Sequence, residues 1–140
     1  MATTTTLVSV DVPTLRSFRD LDLNFTNHPI RKDVTTFSNE YAIINSVKNL
    51  IFTQHFERPF QPELGSNLRR MLFEPVDSIT AAQIEREITE VVSNFEPRAN
   101  ISKVVAKPSP DQNRYDVEVE FFLVNNPNPV SINFFLERIR

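Results

Sequence analysis

The 140-residue chain contains no cysteine, no tryptophan, a single glycine and only two histidines. Without cysteine there can be no disulfide framework, no thiolate zinc site and no cysteine nucleophile, and the composition suits a reducing compartment. One glycine excludes the phosphate-cradling loops, dinucleotide fingerprints and nucleophile elbows that each need several glycines close together. His28 and His55 lie far apart and neither belongs to an H-E-x-x-H arrangement, so nothing around them indicates a metal or acid–base site, and no cofactor is expected. Positive charge is not in excess either: 15 basic against 18 acidic residues leave a net charge of −3. With no basic stripe to follow phosphates, nucleic acid is a poor candidate partner. No segment approaches the ~20 apolar residues of a membrane span, and "MATTTTLVSVDVP" lacks the basic start and apolar length of a cleaved signal, so neither membrane insertion nor signal-directed export is expected.

What the chain does contain is bulk for a core. Hydrophobic residues make up 40% and charged residues 24%, and twelve phenylalanines stand in for the missing tryptophan. The length fits one domain. Residues 1–17 are Thr-rich and aperiodic and read as a flexible N-terminal arm, leaving 18–140 as the domain. "LDLNF" alternates Leu21, Leu23 and Phe25 with polar residues and predicts a short strand. "SNEYAIINSVKNLIFTQ" places Ile43, Val47, Leu50 and Ile51 on one helical face, with Ser38 or Asn39 as N-cap. A second helix is expected to open at Gly65 and Ser66, to carry Leu68, Met71 and Leu72, and to stop before Pro75. In the third, Thr80 and Gln83 have capping-box spacing, and Ile84, Ile88, Val91, Val92 and Phe95 form one stripe. The period then changes to two in "ISKVVAKP", "RYDVEVEFFLV" and "PVSINFFLERI", joined by turn-forming "SPDQN" and "NNPNP". The expected architecture is α+β: a short N-terminal strand, three helices, then a three-stranded antiparallel meander packed on the helices. Phe122, Val124 and Phe135 form a second apolar patch on the far face of the meander, and that patch wants a cover.

Two stretches resist this plain accounting. In "SNFEPRANIS", Pro97 ends the third helix, and Arg98 suits the partial negative charge of a helix C-terminus, but Glu96 does not. Glu96 and Arg98 either pair locally, with Arg98 capping its own helix, or are held out by Pro97 toward a partner, where a guanidinium can form a two-pronged bond. "ERPFQPELG" reads as a stiff loop: Pro59 and Pro62 preset the backbone, Phe60 is expected to plug the core, and Gly65 supplies a permissive backbone angle.

In this order, "AIINSVKNLI", "ERPFQPELGSNLRRMLFEP" and "NFEPR", followed by strands, resemble the contractile-tail phage baseplate-wedge family, whose members are often labelled gene 25-like lysozymes. The similarity runs from about Phe18 to the C-terminus and rests on R-P-F, P-x-x-G, L-F-E and E-P-R at these separations. The chain departs from the family pattern at Phe56 and Leu64, where the family usually has a glycine and an aromatic. The resemblance implies a structural protein rather than an enzyme: a sheath initiator in the virion tail baseplate, assembled in the host cytoplasm and repeated around the symmetric baseplate. It is similar to the small baseplate component of type VI secretion systems. By the same resemblance, Glu96, Pro97 and Arg98 contact the core bundle of larger baseplate wedge proteins. Val130, Ile132, Phe134, Phe135 and Leu136 in the last strand would be the template to which the tail sheath protein adds strands. The alternative function, a peptidoglycan-degrading lysozyme-like glycosidase, needs two carboxyl groups roughly 5–9.5 Å apart across a sugar cleft. Glu57, Glu63 and Glu74 are the candidates.

Overall fold

A computed structural model describes residues 19–21, 30, 32–33, 36–38, 40–124 and 126–139. The elements run β1 (Arg19–Leu21), β2 (Thr36–Ser38), α1 (Glu40–Phe52), α2 (Leu68–Met71), α3 (Ser78–Phe95), β3 (Ala99–Ser109), a 3-10 turn (Pro110–Gln112), β4 (Arg114–Leu123) and β5 (Asn126–Glu137). The last three strands form an antiparallel sheet in the order β3-β4-β5, and β1 pairs with β2 separately. The α+β class and the helix-then-meander order are as expected. The N-terminal strand is Arg19–Leu21 rather than "LDLNF", whose remaining residues lie outside the described ones, as does the 1–17 arm. β2 was not expected; it ends on Ser38, so that residue closes a strand.

The packing follows from the two periodicities. Ala42, Ile43, Val47, Leu50 and Ile51 of α1 are buried, as are Ala81, Ile84, Ile88, Val91 and Val92 of α3. Ile43, Val47 and Ile51 of the first set and Ala81, Ile84, Ile88 and Val92 of the second form one cluster with the inward face of the central strand, Tyr115, Val117, Val119, Phe121 and Leu123. Between them Asp116, Glu118, Glu120 and Phe122 face the other way, as alternation requires. The Tyr115 ring is fully buried; its hydroxyl donates to Pro75 O at 3.0 Å and accepts from Asp77 N at 3.2 Å, which ties β4 to the start of α3. Phe95 is the exception on the α3 stripe: it lies in the last turn and is exposed.

Two helix starts differ from expectation for identifiable reasons. The N-cap of α3 is Asp77, whose carboxylate accepts from Thr80 N at 2.7 Å, so no Thr80–Gln83 capping box is needed. α2 is a single turn, because the residues expected to begin it are bonded elsewhere. Ser66 Oγ donates to Ile51 O at 2.7 Å, Ser66 N to Thr53 O at 2.8 Å, and Asn67 N to Glu87 Oε1 at 2.7 Å. These bonds stitch the 53–66 loop to itself and to α3. Gly65 does supply the open backbone angle, with φ of +132°, and a Cβ there would meet Thr53 O at 2.7 Å. Phe60, however, does not plug the core: Phe56 N bonds Pro62 O at 2.9 Å, closing the tip of the loop on itself, and Phe60 stands 98% exposed.

Ile88 is a fully buried member of the core cluster. Ile88→Ala is therefore expected to cost about 2–5 kcal/mol through lost burial and a residual cavity. Denaturant unfolding checks this; an unchanged midpoint would mean that α3 does not pack on the sheet there.

Candidate functional site

The E-P-R segment is a corner between α3 and β3. Glu96 N closes α3 on Val92 O at 2.9 Å, and Ala99 N bonds back to Glu96 O at 3.0 Å, a tight turn with Pro97 at its first central position, where a fixed φ is favoured. Pro97 is exposed and Arg98 half-buried, but Glu96 is only 3% exposed. Its side chain turns inward. Arg98 donates through Nε to Oε1 at 2.5 Å and through Nη2 to Oε2 at 2.6 Å, and Ser46 Oγ of α1 donates to Oε2 at 2.5 Å. The two-pronged guanidinium bond expected at a partner is thus made within the chain, and Glu96 is not held out by Pro97. The charge that is misplaced at a helix C-terminus is explained by this pairing.

The sheet presents its second feature at its edges. Arg138 N bonds Asn113 O at 2.9 Å, one step beyond the Arg114↔Glu137 pair, and this fixes the parity of the β4–β5 ladder. From Val130 to Leu136 the even-numbered residues of β5 direct their backbone groups at β4. Ser131, Asn133 and Phe135 direct theirs outward. Pro129, also at an outward position, has no N–H to offer. Among the described residues β5 pairs with β4 alone. Of the five residues expected to form a strand template, Ile132 and Leu136 are buried, Val130 and Phe134 are half-buried against the core, and only Phe135 has outward backbone groups and an exposed ring. Ser131 and Asn133 escaped notice because apolarity was the signal followed, whereas an edge is defined by backbone parity. Beside this edge runs a groove of about 350 Å³ lined by residues that include Ile51, Phe52, Leu68, Leu72, Leu136 and Ile139. Phe52 and Phe134 meet edge to face at 5.4 Å.

The other candidates lie at the surface. Glu57, Glu63 and Glu74 are all exposed, and Glu57 accepts from Gln54 N at 2.9 Å. Phe122, Val124 and Phe135 are exposed, but the register sets Phe135 opposite Asp116, at the other end of β4 from Phe122, so the three do not form the one apolar patch expected. Among the described residues no cluster of His, Asp and Glu is arranged to hold a metal ion.

Helices packed on one face of a three-stranded meander make a fold shared with solved tail and baseplate chains. A protein described as a tail lysozyme from Geobacter sulfurreducens superposes with a TM-score of 0.67 at 22% identity, over 72% of this chain and 92% of that one. A chain of the anti-feeding prophage baseplate superposes with a TM-score of 0.61 at 17% identity, over 89% and 88%. At these identities the likeness concerns the fold. Sequence carries the relationship further: the model of the baseplate wedge protein gp25 family matches residues 38–128. Baseplate wedge protein gp25 of Enterobacteria phage T4 is 36% identical over 99 residues, 71% of this chain and 75% of the T4 protein. The chain belongs to the baseplate wedge protein gp25 family, a family of structural proteins of the phage tail.

Burial pushes the Glu96 carboxyl up, but the hydrogen bonds from Arg98 and Ser46 and the charge of Arg98 outweigh it and hold the group below its ordinary 4.5. A carboxyl held low binds fewer protons folded than unfolded, so its contribution to stability is complete above 4.5 and is lost as pH falls through the depressed folded value. Glu96→Gln is expected to flatten the acid limb of a stability–pH curve below 4.5, read by thermal unfolding; a limb as steep as that of the unaltered chain would contradict it. Arg98→Ala removes the guanidinium from a buried carboxylate and leaves it only Ser46 and the backbone N–H of residue 98, and is expected to cost about 1–3 kcal/mol near neutral pH, more than an exposed helix-end cation would. A denaturation midpoint within error of the original would show that the pair is solvated.

Proposed function

We propose that this chain is a non-enzymatic wedge component of a contractile-tail baseplate that seats its E-P-R corner on the core bundle of larger wedge proteins and offers the outer edge of β5 as the template for the first tail sheath strands. The observation that carries the reading is the set of outward backbone groups at Ser131, Asn133 and Phe135 on a strand whose other side is laddered to β4 from Pro129 to Glu137. Unpaired N–H and C=O groups in a row extend a sheet by main-chain hydrogen bonds, while flanking pockets select side chains. The apolar groove at the same edge is placed to receive the inward-facing side chains of an added strand. At the corner, Glu96 acts from inside as a positioning residue. It fixes the guanidinium of Arg98, whose side chain remains 34% exposed beside Pro97, so a partner would meet a rigid cation and a proline rather than the carboxylate. Assembly of the free protein in the host cytoplasm and repetition around the baseplate axis belong to this reading. The glycosidase alternative gains nothing from Glu57, Glu63 and Glu74: all three are exposed, and the shallow pocket that Glu74 lines with Asn67, Arg70, Met71 and Gln83 includes neither of the others.

Parity makes the template testable. Asn133→Pro removes an outward N–H and no β4 ladder bond, which an edge strand tolerates. Ile132→Pro removes a ladder donor and a buried side chain. The first variant is expected to fold and to lose sheath nucleation on reconstituted baseplates; the second is expected to lose stability. Normal sheath assembly on baseplates carrying folded Asn133→Pro would rule the β5 edge out as the template.

A further inference from the structure

A three-stranded sheet has two edges, and the β3 edge is not equivalent to that of β5. Val124 N bonds Arg98 O at 3.2 Å, which sets the β3–β4 parity. Counted through the register shift between Ile101 and Lys103, residues 103, 105, 107 and 109 bond β4, and Val104, Ala106 and Pro108 face outward. The shift interrupts the ladder at one end of this outward row, and Pro108 removes a donor at the other. Between them lie two outward N–H groups. That of Ala106 is taken: Glu85 of α3, 21 residues earlier, accepts it through Oε1 at 2.8 Å.

We propose that Glu85 closes the β3 edge and thereby confines strand addition to β5, making it a specificity-determining residue of the sheet. This rests on the reading of the sheet as a strand acceptor. An incoming strand that paired with β3 would have to bring a carbonyl to Ala106 N–H, where it meets a carboxylate, acceptor against acceptor. It would also have to displace a charge-assisted hydrogen bond. β5 carries no comparable plug: its outward run Ser131, Asn133 and Phe135 follows Pro129 and is continuous. Lys103 and Lys107, exposed on β3, add the charged side chains with which edge strands discourage pairing. One closed and one open edge give each chain a single place for a partner strand. Two open edges would let copies of the chain extend one another's sheets.

The test uses the purified full chain with no sheath protein present, so its outcome is separate from that of the template reading. Glu85→Ala removes the plug, and Glu85→Gln keeps an acceptor oxygen. In hydrogen exchange at low protein concentration, the Ala106 amide is expected to exchange about tenfold faster in Glu85→Ala than in the unaltered chain, with Glu85→Gln close to the latter. In sedimentation, Glu85→Ala is expected to show a weight-average mass that rises with concentration beyond that of the unaltered chain, while Glu85→Gln does not. Unchanged exchange at Ala106, or the same concentration dependence for Glu85→Ala as for the unaltered chain, overturns the proposal. Should Glu85→Ala fail to fold, Glu85→Met keeps the aliphatic length without an acceptor and carries the same expectations.

Discussion

The position of every element near the corner depends on one buried carboxylate. Glu96 is the last cap of α3, the first residue of the turn into β3, and the acceptor for Ser46 on α1. Three elements therefore meet at two oxygen atoms. A carboxylate buried without partners would be strongly disfavoured, so its burial is tolerable only because a guanidinium and a hydroxyl reach it together. The pairing also works in reverse: Arg98, which could sweep a wide arc on a flexible stem, is held at two points by the residue two places before it. A side chain that is already immobilised loses less entropy on docking, and this is how an internal ion pair can serve an external contact.

The sheet is organised by the parity of its central strand. In β4, odd-numbered side chains enter the core and even-numbered ones leave it, while odd-numbered backbone groups turn to β5 and even-numbered ones to β3. Once Arg138 and Val124 fix the two ladders, which residues lie open at either edge follows without further choice. The two edges then acquire different characters from residues that are not in the sheet at all. α3 supplies Glu85 on one side, and the ends of α1 and α2 line a groove on the other. The helices thus stabilise the sheet by burial and also determine which of its edges stays available.

The amino-acid sequence was sufficient for whatever depends on neighbours a few residues away. The 3.6-residue stripe of Ile84, Ile88 and Val92, the alternation of Tyr115, Val117, Val119 and Phe121, the stop at Pro97 and the turn angle at Gly65 are all encoded locally and all appear in the structure. The motif spacing was also enough to indicate the family. Decisions that join distant residues were not legible. Whether Glu96 faced a partner or the interior turned on Ser46, 50 positions away. The length of α2 turned on Ile51 and Glu87 competing for its first polar groups. Phe60 looked like core material by type alone, and loop closure put it outside. The closed edge of β3 needed a helix side chain to reach a strand amide 21 residues on. Periodicity specifies which side of an element is apolar. Only tertiary packing decides which polar groups find each other, because a hydrogen bond depends on position to within a fraction of an ångström and no local pattern carries that distance.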